Sequence, residues 1–183
     1  MILDTKNFDI LGVKLFSTKS YEDNRGLFSE VYQTKLDHPE FKLDYVQENE
    51  SITNFGVFRG MHFQKGNHSQ SKLIRVVKGK VIDVICDLRK SSPSFKKIIF
   101  IELNPNQLLF LPKGLAHGFL SLEEGSILNY KCDNYYNQSS ESGFNLFKSK
   151  VETDFPLVSD DISMSIKDKS LPDLDNSYIY EEL

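Results

Sequence analysis

Short apolar segments separated by turn residues dominate the middle of the chain. Five such segments cover residues 71–77, 81–88, 95–103, 107–111 and 127–133. They recur at spacings of about 8 to 12 residues, and no long stretch has the 3.6-residue period of an amphipathic helix. This pattern predicts the strands of a mainly β fold, either a sandwich or a barrel. The connection Lys78-Gly79-Lys80 between the first two segments predicts a hairpin turn.

The chain as a whole predicts a single domain, residues 1–183. No internal repeat or low-complexity linker divides it. The tail, about residues 151–183, is rich in Asp, Ser and Lys and has little apolar periodicity, so we expect a short helix or loop that covers the barrel. The N-terminus lacks the apolar run of a signal peptide, and no segment approaches about 18 consecutive apolar residues. We therefore expect neither secretion by that route nor a membrane span.

The charge balance narrows the possible partners. Lys and Arg total 22 against 26 Asp and Glu, a formal net charge of -4. No overall basic field therefore exists to hold nucleic acid or an anionic membrane, although a local cluster of cations can still bind an anionic small molecule. The two cysteines, Cys86 and Cys132, do not make a disulfide framework, so we expect the protein to reside in the reducing cytoplasm. Whether the two form a single bridge stays open.

The four histidines lie in unequal contexts. His38 and His68 lie in polar, turn-like stretches and are expected on the surface. If the segment VFRGMHFQ is a strand, successive side chains point to opposite faces of the sheet. One face then carries Phe58, Gly60, His62 and Gln64, and the other carries Val57, Arg59, Met61 and Phe63. A histidine that faces into a barrel needs either a hydrogen-bond partner or a function, and both interpretations stay open for His62.

His117 lies in the segment LPKGLAHGF, whose Pro-x-Gly-x-x-His spacing resembles the second metal motif of the cupin barrels. The first cupin motif is His-x-His followed by Glu, but here His62 is followed by Phe63 and Gln64. The ligand set is therefore incomplete, and we expect a cupin-type barrel without a metal.

Arg25, Lys72 and Tyr130 are weak signals alone, because a turn arginine, a strand-edge lysine and a packing tyrosine explain them equally well. Together with the histidine segments they belong to an ordered series of seven blocks: DNRGLFSE, YVQEN, VFRGMHFQ, QSKLIRVVKG, VIDVICDLRKSSPSF, LPKGLAHGF and YKCDNYY. This series resembles the dTDP-4-dehydrorhamnose 3,5-epimerases of deoxysugar biosynthesis.

The resemblance implies a fold and an assembly. It implies a homodimeric cupin-type β-barrel (jelly roll) with short helical segments near the C-terminus, which needs neither a metal nor an organic cofactor. It also implies that an N-terminal arm, about residues 1–50, contributes to the dimer and helps to complete the partner's site.

The resemblance assigns four catalytic residues. His62 matches the base, Asp168 matches the carboxylate paired with that base, and Lys72 matches the residue that stabilises an enolate oxygen. Tyr130 matches the acid that delivers a proton to the opposite face. These residue types suit the chemistry, because a proton on a carbon beside a ketone becomes removable only when negative charge can move onto the ketone oxygen.

The resemblance also assigns positions that bind the nucleotide sugar: Arg25, Glu30, Gln47, Glu48, Asn49, Arg59, His117, Glu141 and Lys167. Two further candidates keep alternative interpretations. Phe28 is either a stacking partner for the base or a core phenylalanine. Asp83 is either a polar wall of the pocket or a partner of another site residue, because an unpartnered carboxylate in an apolar strand is costly.

The expected activity is that of an isomerase. It converts dTDP-4-dehydro-6-deoxy-D-glucose to dTDP-4-dehydro-L-rhamnose by epimerisation at C3 and C5, in dTDP-rhamnose biosynthesis. An epimerase of C3 alone, or of another nucleotide-linked 4-keto sugar, is the nearest alternative, because the chain departs from the family pattern at Leu27, Phe58, Met61 and Phe155. A non-catalytic sugar-binding cupin and a metal-dependent cupin enzyme are the alternatives from other classes.

Overall fold

The computed structural model describes residues 2–182, which form mainly antiparallel strands. The first sheet has the spatial order β1 (Ile2–Asn7), β2 (Lys14–Thr18), β10 (Gln107–Leu111), β7 (Lys72–Lys78), β12 (Ser126–Cys132) and β5 (Gln47–Thr53). The second sheet has the order β13 (Glu141–Gly143), β6 (Phe58–Gln64), β11 (Leu115–Ser121), β8 (Val81–Asp87) and β9 (Ile98–Leu103). A separate hairpin consists of β3 (Ser20–Asp23) and β4 (Gly26–Ser29). The mainly β prediction is confirmed.

Helical structure is short throughout the described residues. One α-helix, α1, covers Ile166–Ser170 in the tail. Single 3-10 turns cover Pro39–Phe41, Gly66–His68, Gln138–Ser140, Leu146–Lys148 and Ser159–Asp161. In this part of the chain, every helix is too short to cross a membrane.

The two sheets pack face to face around an apolar layer. The six-stranded sheet contributes Ile74, Leu109 and Leu128, and the five-stranded sheet contributes Ile85 and Phe119. This arrangement is the double-sheet jelly roll, in which the inward-facing residues of both sheets form the core. It leaves room at one end of the layer, where polar side chains replace apolar ones.

The tail covers the other face of the five-stranded sheet. Phe155, Ile162 and Met164 pack against a second apolar cluster that includes Phe58 and Met61 of β6. The whole of β8 is buried as a result, because it has the other sheet on one side and the tail on the other. This double burial explains why apolar residues occupy both faces of β8 instead of alternating with polar ones, with Asp83 and Asp87 as its two polar positions. Cys86 on β8 and Cys132 on β12 are both free and buried.

The predicted hairpin at Lys78-Gly79-Lys80 is wrong. β7 pairs with β10 and β12 in the six-stranded sheet, whereas β8 pairs with β11 and β9 in the other. The connection therefore reverses the chain while crossing from one sheet to the other. Gly79, with φ at +83°, permits this turn. A turn signal indicates that the chain reverses, but it does not specify which strand becomes the neighbour.

Candidate active site

A cavity of about 380 Å³ opens between the sheets at the polar end of the core. All four residues predicted to be catalytic line it, as do three of the predicted binding residues. The catalytic set is His62 on β6, Lys72 on β7, Tyr130 on β12 and Asp168 on α1; the binding set is Arg59, His117 and Lys167. The structure thus gathers residues that are more than 100 positions apart in the sequence.

A β-bulge in β6 turns two polar residues toward this cavity. Opposite β11, Arg59 pairs with Phe119 and His62 pairs with His117, so β6 takes three steps where β11 takes two. The extra residue breaks the alternation, and the predicted placement of Arg59 and His62 on opposite faces is wrong. The bulge is crowded: a Cβ atom at Gly60 would lie 2.5 Å from the Cα atom of Gly118.

His62 and Asp168 form a hydrogen-bonded pair. Nε2 of His62 lies 2.7 Å from Oδ1 of Asp168, and the other carboxylate oxygen accepts the N–H of Gly60 at 3.3 Å. A carboxylate only accepts, so Nε2 carries the proton of the neutral ring and Nδ1 keeps a lone pair. The pair therefore fixes the imidazole as a base.

Two residues that the sequence analysis missed hold Asp168 in place. Ser165 caps α1, because its Oγ accepts the backbone N–H of Asp168 at 3.0 Å. The side chain of Asn145 donates to the backbone carbonyl of Asp168 at 3.3 Å. A sequence signal for Ser165 existed, since Ser-x-x-Asp is a common spacing at the start of a helix.

Asp168 stays ionised although it is largely buried. Burial raises the pKa of its carboxyl, but the hydrogen bond and charge of His62 and the N–H of Gly60 outweigh burial and lower it overall. An ionised Asp168 stabilises the imidazolium that forms when His62 takes up a proton. The pair is therefore arranged for proton abstraction.

Tyr130 and Lys72 reach the cavity from the opposite sheet. They lie on neighbouring strands, with the Lys72 ammonium nitrogen 5.7 Å from the centre of the Tyr130 ring. Burial raises the pKa of the Tyr130 phenol, so it keeps its proton at neutral pH and is able to donate it. Because β6 belongs to the other sheet, His62 and Tyr130 approach a molecule in the cavity from different sides.

Asp83 does not form a wall of the cavity. It is 0% exposed and lies behind His117, with Oδ1 2.8 Å from Nε2 of His117. Of the two interpretations left open by the sequence, the structure matches the partner of another site residue. Burial is the main cause that lowers the pKa of His117, which favours the neutral imidazole.

Three glutamines hold the loop at one side of the cavity. Gln47 accepts the backbone N–H of Tyr136 at 2.9 Å, and Gln64 accepts the next N–H along the chain at 3.0 Å. Gln70 donates to the carbonyl at the start of the loop, residues 134–137, at 2.9 Å. Their side chains line an extension of the cavity, together with Tyr136 itself. Of these residues, the sequence analysis had singled out Gln47 alone as a site residue.

The predicted binding residues of β5 point in two directions. Gln47 and Asn49 line the extension of the cavity, and the Gln47 amide donates to the Asn49 side chain at 3.0 Å. Glu48 faces the outer side of the sheet, where it pairs with Lys131 at 2.8 Å. Strand alternation explains the difference, and the side chain of Glu48 is not brought to the cavity of its own chain.

Glu141 and Lys167 meet each other at the mouth of the cavity. The Lys167 ammonium lies 2.6 Å from one carboxylate oxygen of Glu141, and the Tyr136 hydroxyl donates to the other at 3.0 Å. Burial raises the pKa of Glu141, but its bonds to Lys167 and Tyr136 lower it overall. This ion pair links α1, which carries Asp168, to the loop that the glutamines hold.

The hairpin residues lie away from the cavity of their own chain. Arg25 pairs with Asp23 at 2.6 Å and lines a separate depression on the hairpin with Phe28. Phe28 is 68% exposed, so its interpretation as a core phenylalanine is wrong. Glu30 follows β4 and accepts a hydrogen bond from Gln33 at 2.6 Å.

The remaining histidines do not line the cavity. His38 packs edge-on against Phe16, with ring centres 5.1 Å apart, and His68 ends a 3-10 turn; both are partly buried. No three His, Cys, Asp or Glu side chains within residues 2–182 are grouped so that they would hold a metal ion. Chemistry without a metal stays a prediction.

Comparisons with known proteins agree on one family. The family model described as dTDP-4-dehydrorhamnose 3,5-epimerase matches residues 7–176. The dTDP-4-dehydrorhamnose 3,5-epimerase of Escherichia coli (strain K12) is 37% identical over 171 residues, which cover 91% of this chain and 92% of the relative. The corresponding enzyme of Methanothermobacter thermautotrophicus is 35% identical over 173 residues, which cover 92% of this chain and 93% of the relative.

Solved structures show the same likeness. A dTDP-6-deoxy-D-glucose-3,5-epimerase from Legionella pneumophila, in complex with dTDP-4-keto-L-rhamnose, matches with a TM-score of 0.90 and 31% identity, covering 98% of both chains. A double mutant of a 3'-monoepimerase from Streptomyces bikiniensis, in complex with dTDP, matches with a TM-score of 0.83 and 26% identity. The match covers 92% of this chain and 86% of the Streptomyces chain. With its cupin-type jelly roll and a family match over almost its whole length, the chain belongs to the dTDP-4-dehydrorhamnose 3,5-epimerase family.

Proposed function

We propose that the protein is an isomerase that epimerises C3 and C5 of dTDP-4-dehydro-6-deoxy-D-glucose to give dTDP-4-dehydro-L-rhamnose, in dTDP-rhamnose biosynthesis. One observation carries this proposal: the His62–Asp168 pair and Tyr130 line one cavity from opposing sheets, with Lys72 beside Tyr130. Base, acid and cation are thus placed as inversion of a carbon beside a ketone requires.

The reaction begins with proton abstraction. Nδ1 of His62 takes the proton from the carbon beside the C4 ketone, and the electron pair of the broken C–H bond moves to the ketone oxygen. The Lys72 ammonium stabilises the resulting enolate oxygen, because a fixed charge in a partly dry site acts where charge develops. Asp168 stabilises the His62 imidazolium in the same step.

The reaction ends with protonation on the other face. The Tyr130 O–H gives its proton to the enolate carbon, the oxygen regains its double bond to C4, and the carbon is inverted. The phenolate of Tyr130 then recovers a proton from solvent, and His62 releases the proton it took. C3 and C5 both flank the ketone, so the same groups serve both carbons in turn.

The cations near the mouth of the cavity suit the diphosphate of the substrate. Arg59 and Lys167 both line the cavity, and the Arg59 side chain is already oriented by a hydrogen bond to Thr53 at 3.0 Å. An arginine fork binds phosphate oxygens well whatever the net charge of the protein. The Legionella relative with dTDP-4-keto-L-rhamnose bound supports a dTDP-linked sugar as the ligand.

The exposed hairpin supports a homodimer with shared sites. Arg25 and Phe28 are predicted to bind substrate, yet they lie outside the cavity of their own chain. We therefore place them, together with Glu30, at the cavity of a second copy. We also retain the cytoplasm as the proposed location, which the two free cysteines favour.

Complementation between two inactive variants tests the shared site. Chains with His62→Ala and chains with Arg25→Ala are purified separately, mixed, and exchanged into mixed dimers. If the hairpin acts on the partner's cavity, one site in each mixed dimer is intact and activity returns. Activity that stays at the level of the separate variants contradicts the shared site.

Turnover in deuterated water tests the reaction. Product NMR should show deuterium at both C3 and C5, and a chelator should leave the rate unchanged. Label at C3 alone favours the C3 epimerase, the activity that the name of the Streptomyces relative states. His62→Ala should slow labelling by about 10²-fold or more, whereas His68→Ala, a change in a turn outside the cavity, should not. Nucleotide-sugar binding without any labelling would favour a non-catalytic sugar-binding protein.

A further inference from the structure

Ser51 carries a buried hydroxyl at the wall of the cavity. It lies on β5, lines the cavity, and pairs directly with the core residue Leu128 on β12. Directly opposite residues of two antiparallel strands point to the same face of the sheet, so Ser51 points inward. Its Oγ is buried and has no hydrogen-bond partner within residues 2–182. Such hydroxyls are rare in folded proteins, because burial without a partner costs free energy.

The next inward position of β5 holds a cation. Thr53 follows Ser51 by two residues, and its Oγ1 accepts the Nε–H of Arg59 at 3.0 Å. The backbone carbonyl of Ile52 accepts an Nη2–H of the same guanidinium at 3.3 Å. These two bonds use two of the five N–H donors of an arginine, so three remain. Because Arg59 lines the cavity, its remaining donors can serve an anion there.

The preceding inward position of β5 lies beside the proposed proton donor. Asn49 pairs with Tyr130 on β12. Residues two positions apart in a strand are separated by about 6 to 7 Å, so Ser51 lies between the level of Tyr130 and the anchor of Arg59. In the proposed function, C4 of the sugar lies near Tyr130 and the diphosphate lies near Arg59. The diphosphate is attached to C1, across the sugar ring from C4. The part of the ligand beside Ser51 is therefore the sugar end of the diphosphate.

A serine hydroxyl suits that position. It has one hydrogen to donate, and rotation about the Cα–Cβ bond moves it among three staggered positions without movement of the backbone. A phosphate oxygen carries negative charge and accepts hydrogen bonds strongly. It would give the Ser51 Oγ the partner that residues 2–182 do not provide.

We propose that Ser51 is a substrate-binding residue whose hydroxyl donates a hydrogen bond to the phosphate at the sugar end of the diphosphate, beside Arg59. This inference rests on the proposed function, which supplies the ligand and the place of its diphosphate. The unpartnered Oγ gives the inference a distinctive consequence. Loss of the hydroxyl should weaken binding of the ligand and leave the stability of the free protein intact, because no bond within the described chain is removed.

Ser51→Ala tests the inference, with dTDP and dTMP as probes in titration calorimetry. The second phosphate of dTDP is the one that bears the sugar in the substrate, and dTMP lacks it. The Kd for dTDP should rise about tenfold or more, since a hydrogen bond to a charged group is lost. The Kd for dTMP should stay close to that of the wild type. Equal weakening of both ligands overturns the inference, as does an unchanged Kd for dTDP in the folded variant.

Ser126→Ala on β12 is the matched control. The Ser126 hydroxyl is also buried, but it lies within hydrogen-bond distance of the backbone carbonyls of Glu123, at 2.8 Å, and Lys80, at 3.3 Å. This variant should unfold at a lower urea concentration than the wild type and keep the wild-type Kd for dTDP. Ser51→Ala should show the reverse of both results. If it loses stability as the control does and keeps its affinity for dTDP, the Ser51 hydroxyl is structural and the inference is overturned.

Turnover of the nucleotide sugar separates this inference from the proposed function. In Ser51→Ala, KM should rise while kcat changes less, because the contact to the phosphate is made equally before and during the reaction. A fall in kcat with an unchanged KM would overturn the inference. Wild-type protein that binds dTDP but labels neither C3 nor C5 would overturn the proposed function instead, since the contact at Ser51 concerns binding of the diphosphate.

Discussion

Replacing Asp168 with Asn is the sharpest perturbation of the base. The substitution keeps the size of the side chain and removes the charge that faces Nε2 of His62 across 2.7 Å. A hydrogen bond to a charged group contributes about 1.5 to 3 kcal/mol. This bond is strongest after His62 has taken the substrate proton, so most of its energy is lost from the transition state. Since each 1.36 kcal/mol is tenfold in rate, kcat should fall about 10- to 150-fold.

The assay measures the rate of deuterium incorporation at C3 by NMR. The kcat, the KM and the affinity for dTDP are measured alongside it. Affinity for dTDP should change little, because the carboxylate contacts His62 and Gly60. Asp175→Asn is the matched control in the same tail: its carboxylate bonds Lys96 at 2.7 Å but is exposed. A folded Asp168→Asn protein that keeps more than about half of the wild-type kcat would lie well outside the expected fall in rate. That result would refute the role of the His62–Asp168 pair in proton abstraction.

Three further outcomes are expected. Tyr130→Phe should lower product formation by about 10²-fold or more. Exchange of the C3 hydrogen with solvent, without inversion of the carbon, should continue, because abstraction by His62 precedes protonation by Tyr130. Equal loss of product formation and of exchange contradicts the assignment of His62 as base and Tyr130 as acid. Gly118→Ala puts a Cβ atom 2.8 Å from the carbonyl of Arg59 and should cost about 1 to 3 kcal/mol in chemical denaturation. Asp87→Asn should cost about 3 kcal/mol at neutral pH. Burial raises the pKa of Asp87, but the hydrogen bonds from Arg89 and two serines lower the pKa overall. The stability that the ionised carboxylate contributes is therefore lost as pH falls below the ordinary aspartate pKa of 3.8, and the difference in stability between variant and wild type should shrink there.

Local sequence patterns predicted where strands lie but not how they pair. The segment 107–111 coincides with β10, and residues 127–133 differ from β12 by one position at each end. The segment 95–103 begins too early, because Lys96 has a φ of +62° in a turn before β9. Pairing depends on the stacking of two sheets, which the hairpin prediction at Lys78-Gly79-Lys80 did not include.

The site shows the same division between local and distant information. A histidine in an inward-facing strand was visible locally, but its partner is 106 residues away in a polar tail. The resemblance to a family supplied Asp168, whereas composition and periodicity did not. The bulge that turns Arg59 and His62 the same way depends on close contact between two glycines on neighbouring strands. No pattern within β6 alone indicates that contact.

The apolar layer between the sheets sets a distance as well as a stability. His62 and Tyr130 belong to different sheets, and side chains such as Ile74, Ile85 and Leu128 keep those sheets apart. In the proposed reaction, protons pass to and from one carbon across that gap, so the volume of these side chains determines how well both reacting groups reach the carbon. A methyl group deleted from the layer would narrow or loosen the gap. The core is therefore a spacer as well as a source of stability, and side chains that do not line the cavity help to set the geometry of the proposed reaction.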